Sequence, residues 1–410
     1  MTAYYFVQPT DSLFIRGNLA FGDSGEHGSG VMPPPPSLLA GAFRSAILGR
    51  DAEALAQFTR NGRCENSAMH AVLGSADKPG AFRIAWLSLA GWEGAGLPAI
   101  CEPVDSVARK RAPTGETGSL EAILPLPADL VRLESGFASL TPGEPGALIQ
   151  DGRELPNVAV LRSGKQEKPQ GGIYLRQSGW TKHLQGKDLS PSGDGVEARH
   201  IHARDPRLGI GLNSGSRTAE SGLIYTTEGY AFGSGEKESP FAATGFLVGI
   251  VGADGLIPES GFLRLGGDGR SARYQRVDFS LPPLDLKFLS RSGKFCILLQ
   301  TPGVFANGWL PDGVTQHESG DYRLLADGFS ARLACAAVPR REIVSGWDLF
   351  NWKPKNADRV APAGSVYWFD QFEGDPGKLA AWGVGGLWRD NMNSARRAEG
   401  YNLSSLAVWN

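Results

Sequence analysis

The sequence predicts a loop-rich α+β protein whose first part is ferredoxin-like, and three observations support this. The 410 residues include 55 glycines and 27 prolines, about one residue in five, so many turns are required, while 41% apolar content leaves ample material for packed cores. The patterns of the first part follow the order strand, helix, strand, strand, as in a ferredoxin-like unit. From Leu208 onward strand signals dominate. A chain of this length outgrows a single hydrophobic core, so about two domains are expected.

Tyr4 to Phe14 alternates enough to be a first strand. It runs into Pro9-Thr10-Asp11-Ser12-Leu13-Phe14-Ile15-Arg16-Gly17, and a loop then leads to the rigid run Pro33 to Pro36, which continues neither a helix nor an inner strand. Ser37 follows as an expected helix cap for Leu38 to Leu48. On a wheel Leu39, Ala42, Phe43, Ala46 and Ile47 share a stripe, and Arg44 falls opposite beside Gly41, free to face a ligand. Asp51 to Arg60 reads as a second helix, and Phe82 to Leu89 and Ala99 to Ser106 as strands. Between about 143 and 205 the chain turns polar, and an inserted arm with little core is expected there. Further strands are expected over Gly222 to Phe232, Thr244 to Val251, Phe262 to Leu265, Phe295 to Thr301, Ser330 to Val338 and Ser365 to Phe372, with a late helix in Asp375 to Trp382. The predicted division is an N-terminal domain over 1–205, including the arm, and a C-terminal domain over 206–410.

Lys and Arg number 41 against 43 Asp and Glu, a net charge of −2, so the chain lacks the basic balance of a non-specific nucleic-acid binder, though a local basic groove remains open. Cys64, Cys101, Cys296 and Cys335 form no C-x-x-C pair, which argues against a zinc site and for reduced, buried thiols. With no signal-peptide pattern and no apolar run of about 18 residues, a soluble cytoplasmic protein is expected. Gly22-Asp23-Ser24-Gly25 imitates a serine-protease nucleophile without a fitting His and Asp. His200 and His202 would share a strand face, but two imidazoles with Asp205 make a thin metal set. Gly209-Ile210-Gly211 lacks the third glycine of a dinucleotide fingerprint, and no Gly-Lys-Ser/Thr phosphate loop occurs. No cofactor, metal or catalytic residue is expected.

Several separated blocks, in order and along almost the whole length, resemble one family. Besides the opening they are Arg207-Leu208-Gly209-Ile210-Gly211-Leu212 with Arg217-Thr218-Ala219 and Leu223-Ile224-Tyr225, then Leu263-Arg264-Leu265-Gly266-Gly267-Asp268-Gly269-Arg270, and Gln300 to Phe305 before Gly308-Trp309-Leu310-Pro311. Ser345-Gly346-Trp347-Asp348 with Lys353-Pro354-Lys355, Val360 to Tyr367, and Arg396-Arg397-Ala398-Glu399-Gly400-Tyr401-Asn402-Leu403 complete the set. Together they are similar to the subunit-three family of the Cmr complex, RAMP proteins of type III-B CRISPR effectors. The resemblance implies two ferredoxin-like (RRM-like) domains with glycine-rich loops. It also implies a non-catalytic protein that holds the 5′ repeat-derived tag of the CRISPR RNA and docks onto the large polymerase/cyclase-like subunit and the backbone RAMP subunits. Asn402 departs from the pattern, standing where a glycine is expected; Asn tolerates positive φ, so the turn can survive.

Single-stranded RNA is held by cations that track phosphates and by side chains that stack on bases. The residues expected to serve are Arg16, Ser37, Gly41, Arg44, Arg217, Gly266, Gly267, Arg270, Arg273, Arg396, Arg397, Gly400 and Tyr401, the arginines lying beside glycine-rich turns. Tyr401 or Trp309 would stack, although buried aromatics are the commoner case, and a plain hairpin turn explains Gly266 to Gly269 equally well. The alternative is a RAMP endoribonuclease that processes guide precursors with His70, His183, His200 or His202 as acid and base.

Overall fold

The structure, a computed structural model, describes residues 1–410 except 16–26, 29–30, 95–117, 144–147, 151–152, 163–165, 214, 234–238, 281–284, 349, 389–392 and 410. The expected strand Ala99 to Ser106, Cys101 and the Gly22 to Gly25 motif lie outside the described residues.

Two antiparallel sheets carry the fold. The first takes β1 (Ala3–Pro9), β2 (Arg83–Glu93), β3 (Ser119–Pro125), β4 (Ile173–Arg176) and β5 (Gly195–Glu197). A long ribbon of β6 (His202–Leu212) and β7 (Ala219–Phe232) leaves it. The chain returns as β8 (Ala243–Val251), β9 (Ser260–Arg264) and β10 (Ser271–Val277). The strand order is β5-β4-β3-β2-β8-β1-β10-β9. Thus β1 and β2 run parallel with β8 inserted between them, joined by α1 (Pro36–Leu48), α2 (Ala52–Asn61) and α3 (Ser67–Leu73).

The second sheet holds β11 (Phe295–Leu299), β12 (Val314–Gln316), β13 (Tyr322–Ala326), β14 (Phe329–Ala337), β15 (Val366–Gly374) and β16 (Ser404–Val408), in the order β12-β13-β14-β15-β11-β16. Between β15 and β16 come α6 (Pro376–Val384) and α7 (Ser394–Glu399); α4 (Gln177–Leu184) and α5 (Lys287–Ser292) precede them in the chain. Four adjacent strands of each sheet, β2-β8-β1-β10 and β14-β15-β11-β16, follow one plan: two interleaved pairs of parallel strands. Helices fill the first crossover in one sheet and the second in the other.

Both faces of each sheet are buried, and strand alternation sorts them. In β1, Tyr5 and Val7 pack with Leu39 and Phe43 of α1, while Phe6 faces the opposite way. In β11, Phe295, Ile297 and Leu299 join the core beneath α6, while Cys296 and Leu298 face Phe6, Trp86, Trp92 and Leu247 of the first sheet. The sheets therefore stack directly, with α1 and α6 on their outer faces and α4 packed at the layer between them through Trp180.

Among the described residues the first strand ends at Pro9 and not at Phe14, and the other expected elements appear within a few residues of their predicted bounds, with these further corrections. α1 begins at Pro36, and no side chain caps it: Pro35 occupies the cap position, so the anticipated Ser37 cap is absent. Pro36 needs no N–H partner in the first turn, which makes a side-chain cap dispensable. The arm over 143–205 is not coreless, because Leu155, Leu175 and Trp180 are at most 1% exposed. Polar sequence there surrounds a few well-spaced apolar anchors. Finally, strands from 243–277 pair with β1, so sheet membership changes between Val277 and Phe295, not near residue 206.

Candidate nucleic-acid interface

Three of the separated sequence blocks meet at Phe14. Beyond β1 the chain pairs with the ribbon, Leu13 exchanging N–H···O bonds of 2.8 and 2.9 Å with Tyr230. The turn after β9 closes from the other side, where the Gly267 N–H donates to the Phe14 carbonyl at 2.7 Å. Gly266 sits at φ +78°, and a Cβ on it would lie 2.6 Å from Leu13 Cδ1 and 2.7 Å from the Phe14 carbonyl oxygen. The glycine is thus required by the approach of the Leu13-Phe14 backbone.

The Phe14 ring carries two guanidiniums, those of Arg207 and Arg270, each with Cζ 5.3 Å from the ring centroid. Arg270 is ion-paired with Asp11. Arg207 lies 2.8 Å from Asp205 and 3.5 Å from Asp11, and donates to the Ser12 hydroxyl at 3.2 Å. Ser12 donates in turn to Asp205, and this hydroxyl, followed by Arg207, holds the Asp205 carboxyl below the usual carboxylate range. The result is a pair of cations fixed in direction by an aromatic face and two carboxylates, half open to solvent. Arg16 falls two residues past Phe14, outside the described residues. Arg273, on β10, donates to Gln8 Oε1 at 2.7 Å, and Arg217 is exposed in the ribbon turn at φ +56°.

A second group of predicted residues converges where α7 packs on α1 and β2. Here most of them serve the protein itself. Arg396 is 5% exposed, paired with Asp358 at 2.7 Å and Glu399 at 3.1 Å, and its guanidinium lies 5.1 Å from the Tyr401 ring centroid. Lys355 adds a 2.6 Å bond to Glu399. Tyr401 is fully buried, its phenol 3.4 Å from the Ser37 hydroxyl and its pKa pushed up to about 12 by burial. Gly400 is at φ +92° against Ile84. Arg44 is not free: its guanidinium donates to the Leu73 carbonyl at the end of α3 at 3.0 Å, and burial lowers its pKa against the pull of Glu399. The helical wheel correctly puts Arg44 off the apolar stripe, but α3 and α7 cover that side. Gly41 is exposed with open space at its Cα. Arg397 remains partly exposed, and burial, together with the Arg397 charge, lowers the pKa of Arg83.

The aromatic expectations need the same correction. Trp309 is 6% exposed and Tyr401 buried, so neither is a stacking platform. The exposed indoles are Trp347 and Trp352, at 49% and 74%. Sequence reasoning passed over them, and over Phe14 and Asp11, because a turn residue and a core residue carry the same letter. The available signal was the pair of tryptophans flanking an Asp-x-x-Asn turn.

Among the described residues no three His, Cys, Asp or Glu side chains gather as metal ligands. His202 is enclosed by Tyr174, Tyr230 and Phe232, with Nε2 3.3 Å from the Tyr174 hydroxyl, and burial draws its pKa down to about 4. His183 pairs with Asp129 at 3.1 Å.

The fold and site define an α+β protein of two face-to-face antiparallel sheets with an arginine-aromatic cluster at the root of a projecting ribbon. The sequence places it further: residues 5–409 match the family model "CRISPR-associated protein (Cas_Cmr3)", and the chain belongs to that family, subunit three of the Cmr complex of type III-B CRISPR systems. No curated protein matches it. Among solved structures, a chain of the type III-B Cmr-beta complex bound to cognate target RNA is 13% identical, with a TM-score of 0.47 over 97% of this chain and 95% of that one. A chain of the same complex bound to cognate target RNA and AMPPnP is 13% identical, with a TM-score of 0.42 over 89% and 86%. No helix among the described residues is long and apolar enough to cross a membrane.

Proposed function

We propose that this chain is a non-catalytic RNA-holding subunit of its complex. It binds the 5′ repeat-derived tag of the CRISPR RNA and docks onto the large polymerase/cyclase-like subunit and the backbone RAMP subunits. Its two sheets are read as ferredoxin-like RAMP domains divided within 278–294.

The observation that carries the reading is the pair of guanidiniums on Phe14. Ring and carboxylates restrict the rotamers of Arg207 and Arg270, so little side-chain entropy is lost when a phosphate arrives. Asp11 is half-exposed and can yield Arg270 to a stronger bidentate partner. Arg397, Arg217 and Arg16 extend the cationic contacts, and contacts of this kind set register while unstacked bases are read elsewhere. The burial of Arg396, Tyr401 and Arg44 removes them from direct contact and makes them the frame that fixes α1 and α7.

The endoribonuclease alternative draws on His70, His183, His200 or His202 as acid and base; of these, His202 is enclosed by aromatic rings and burial draws its pKa down to about 4, away from neutrality. Site-specific cutting of repeat RNA that disappears in His200→Ala and His202→Ala would overturn the proposal. The direct test is binding of 5′-tagged guide RNA to Arg207→Ala/Arg270→Ala across a salt series. The log-log salt slope is expected to fall by about two for two lost phosphate contacts. An unchanged slope and affinity would remove the site.

A further inference from the structure

We infer that Trp347 and Trp352 form a stacking platform for unpaired RNA bases, separate from the phosphate-directed arginines; the inference rests on the RNA-holding function proposed above. The two indoles stand on a small hairpin that projects from the excursion over 340–360, where Trp347-Asp348 pairs with Lys353-Pro354. Their rings meet edge to face, centroids 5.9 Å apart at 87°. In that arrangement the rings do not cover one another, so each keeps a face for a base.

The hairpin is built to hold this exposure. Asp348 accepts the N–H groups of Phe350 and Asn351 at 3.0 Å each and the Asn351 amide at 2.9 Å, and these bonds keep its carboxyl ionised and turned into the loop. Trp352 itself sits at φ +51°, a conformation unfavourable for a bulky side chain, and such strain persists only where the surroundings impose it. Phe350 anchors the turn against Gly62 at the end of α2, where a Cβ would lie 3.0 Å from the ring. The Lys355 N–H donates to the Gly346 carbonyl at 2.9 Å, and the Lys355 ammonium reaches Glu399. An indole that is 74% exposed on a turn fixed at so many points costs little further entropy on stacking.

Charge selects the partner. The segment 340–360 has five cations, Arg340, Arg341, Lys353, Lys355 and Arg359, against three carboxylates in a chain of net charge −2. Asp358 is taken up by Arg396 and Lys355 by Glu399, which leaves Arg340, Arg341, Lys353 and Arg359 against Asp348, bonded within its own turn, and Glu342, whose pKa burial raises. Aromatic faces among cations are the recognition chemistry of single-stranded nucleic acid.

The test uses the full chain and an eight-nucleotide oligouridylate, read by tryptophan fluorescence and by filter binding across a salt series. Trp347→Ala and Trp352→Ala are each expected to weaken binding roughly five- to hundredfold, the scale of one lost base stack, without changing the salt slope. Trp352→Phe should stay within about threefold of the parent, and Arg270→Ala should lower the slope. If both alanine variants bind like the parent while Arg270→Ala weakens binding, the platform is refuted and the RNA-holding function stands. If the parent does not bind, both fall. If the alanine variants bind RNA normally but lose a partner subunit on co-purification, the indoles are a protein-docking site and the inference is overturned.

Discussion

Asn402 shows how a departure from a family pattern is absorbed. It adopts φ +60°, as the missing glycine would, and is fully buried. Its side chain then does what glycine cannot: Oδ1 accepts the Val304 N–H at 2.6 Å, and Nδ2 donates to the carbonyls of Leu387 at 3.1 Å and Val304 at 3.3 Å. Asn402→Gly is therefore expected to keep the turn yet lose about 1–3 kcal/mol through these buried groups, measured by urea unfolding. An unchanged midpoint would mean the bonds contribute nothing net. His202 gives a second expectation at this scale. Its folded pKa is about 4 against an ordinary 6.5, so the unfolded chain binds the extra proton first. The stability linked to the neutral ring is full above pH 6.5 and is lost as pH falls from 6.5 to about 4. His202→Phe should flatten the melting-temperature profile in that window, and a profile with the parent's slope would assign the acid sensitivity to other groups.

At the scale of elements, the glycine loop after α7 was legible in the sequence, but its purpose was not. A glycine between a short helix and a strand reads equally as a place for RNA backbone or as a steric allowance, and only the fold reveals that β2 lies behind it. A Cβ on Gly400 would lie 2.7 Å from Ile84 Cβ, and the position is left-handed as well. Gly400→Ala thus combines a backbone cost of about 1–2 kcal/mol with a clash between α7 and the first sheet. Gly400→Ala with Ile84→Gly, which removes the Cβ that clashes, should recover the steric part alone, giving a favourable coupling energy in a double-mutant cycle. Additive losses would place the whole cost in the backbone. The same reasoning explains what the sequence conveyed well. Periodic apolar segments such as Leu38 to Leu48 and Thr244 to Val251 fix their own structure, whereas Arg44, Arg396 and Tyr401 take their roles from elements distant in sequence. The ribbon strand His202–Leu212 was missed because Pro206, Gly209 and Gly211 disguise it, although its register with β7 is nearly continuous.

The whole molecule is tied together by the contact between its sheets, and this sets its cooperativity. Phe6, Trp86, Trp92 and Leu247 on one side and Leu298, Val366 and Trp368 on the other form one apolar layer, with Cys296 and Cys335 inside it. Burial raises the pKa of both thiols, that of Cys335 to about 12, as expected for a layer that excludes water. Further along, α7 from the second half covers α1 and β2 of the first, and Lys355, Asp358, Arg396 and Glu399 bond around it. Two sheets built on one strand plan are therefore topologically separable but energetically joined, since cutting the chain near residue 280 would expose a continuous face of tryptophans, leucine and valine to water. Fragments 1–280 and 285–410, expressed apart, are expected to aggregate or to bind a hydrophobic dye, and to recover a cooperative melt when co-expressed. The full chain should unfold in a single transition, with Leu298→Asp lowering its midpoint as seen by probes in either half. A fragment that melts cooperatively by itself near the midpoint of the full chain would show that each sheet is a self-sufficient domain and that the layer between them is an interface of the ordinary inter-domain kind.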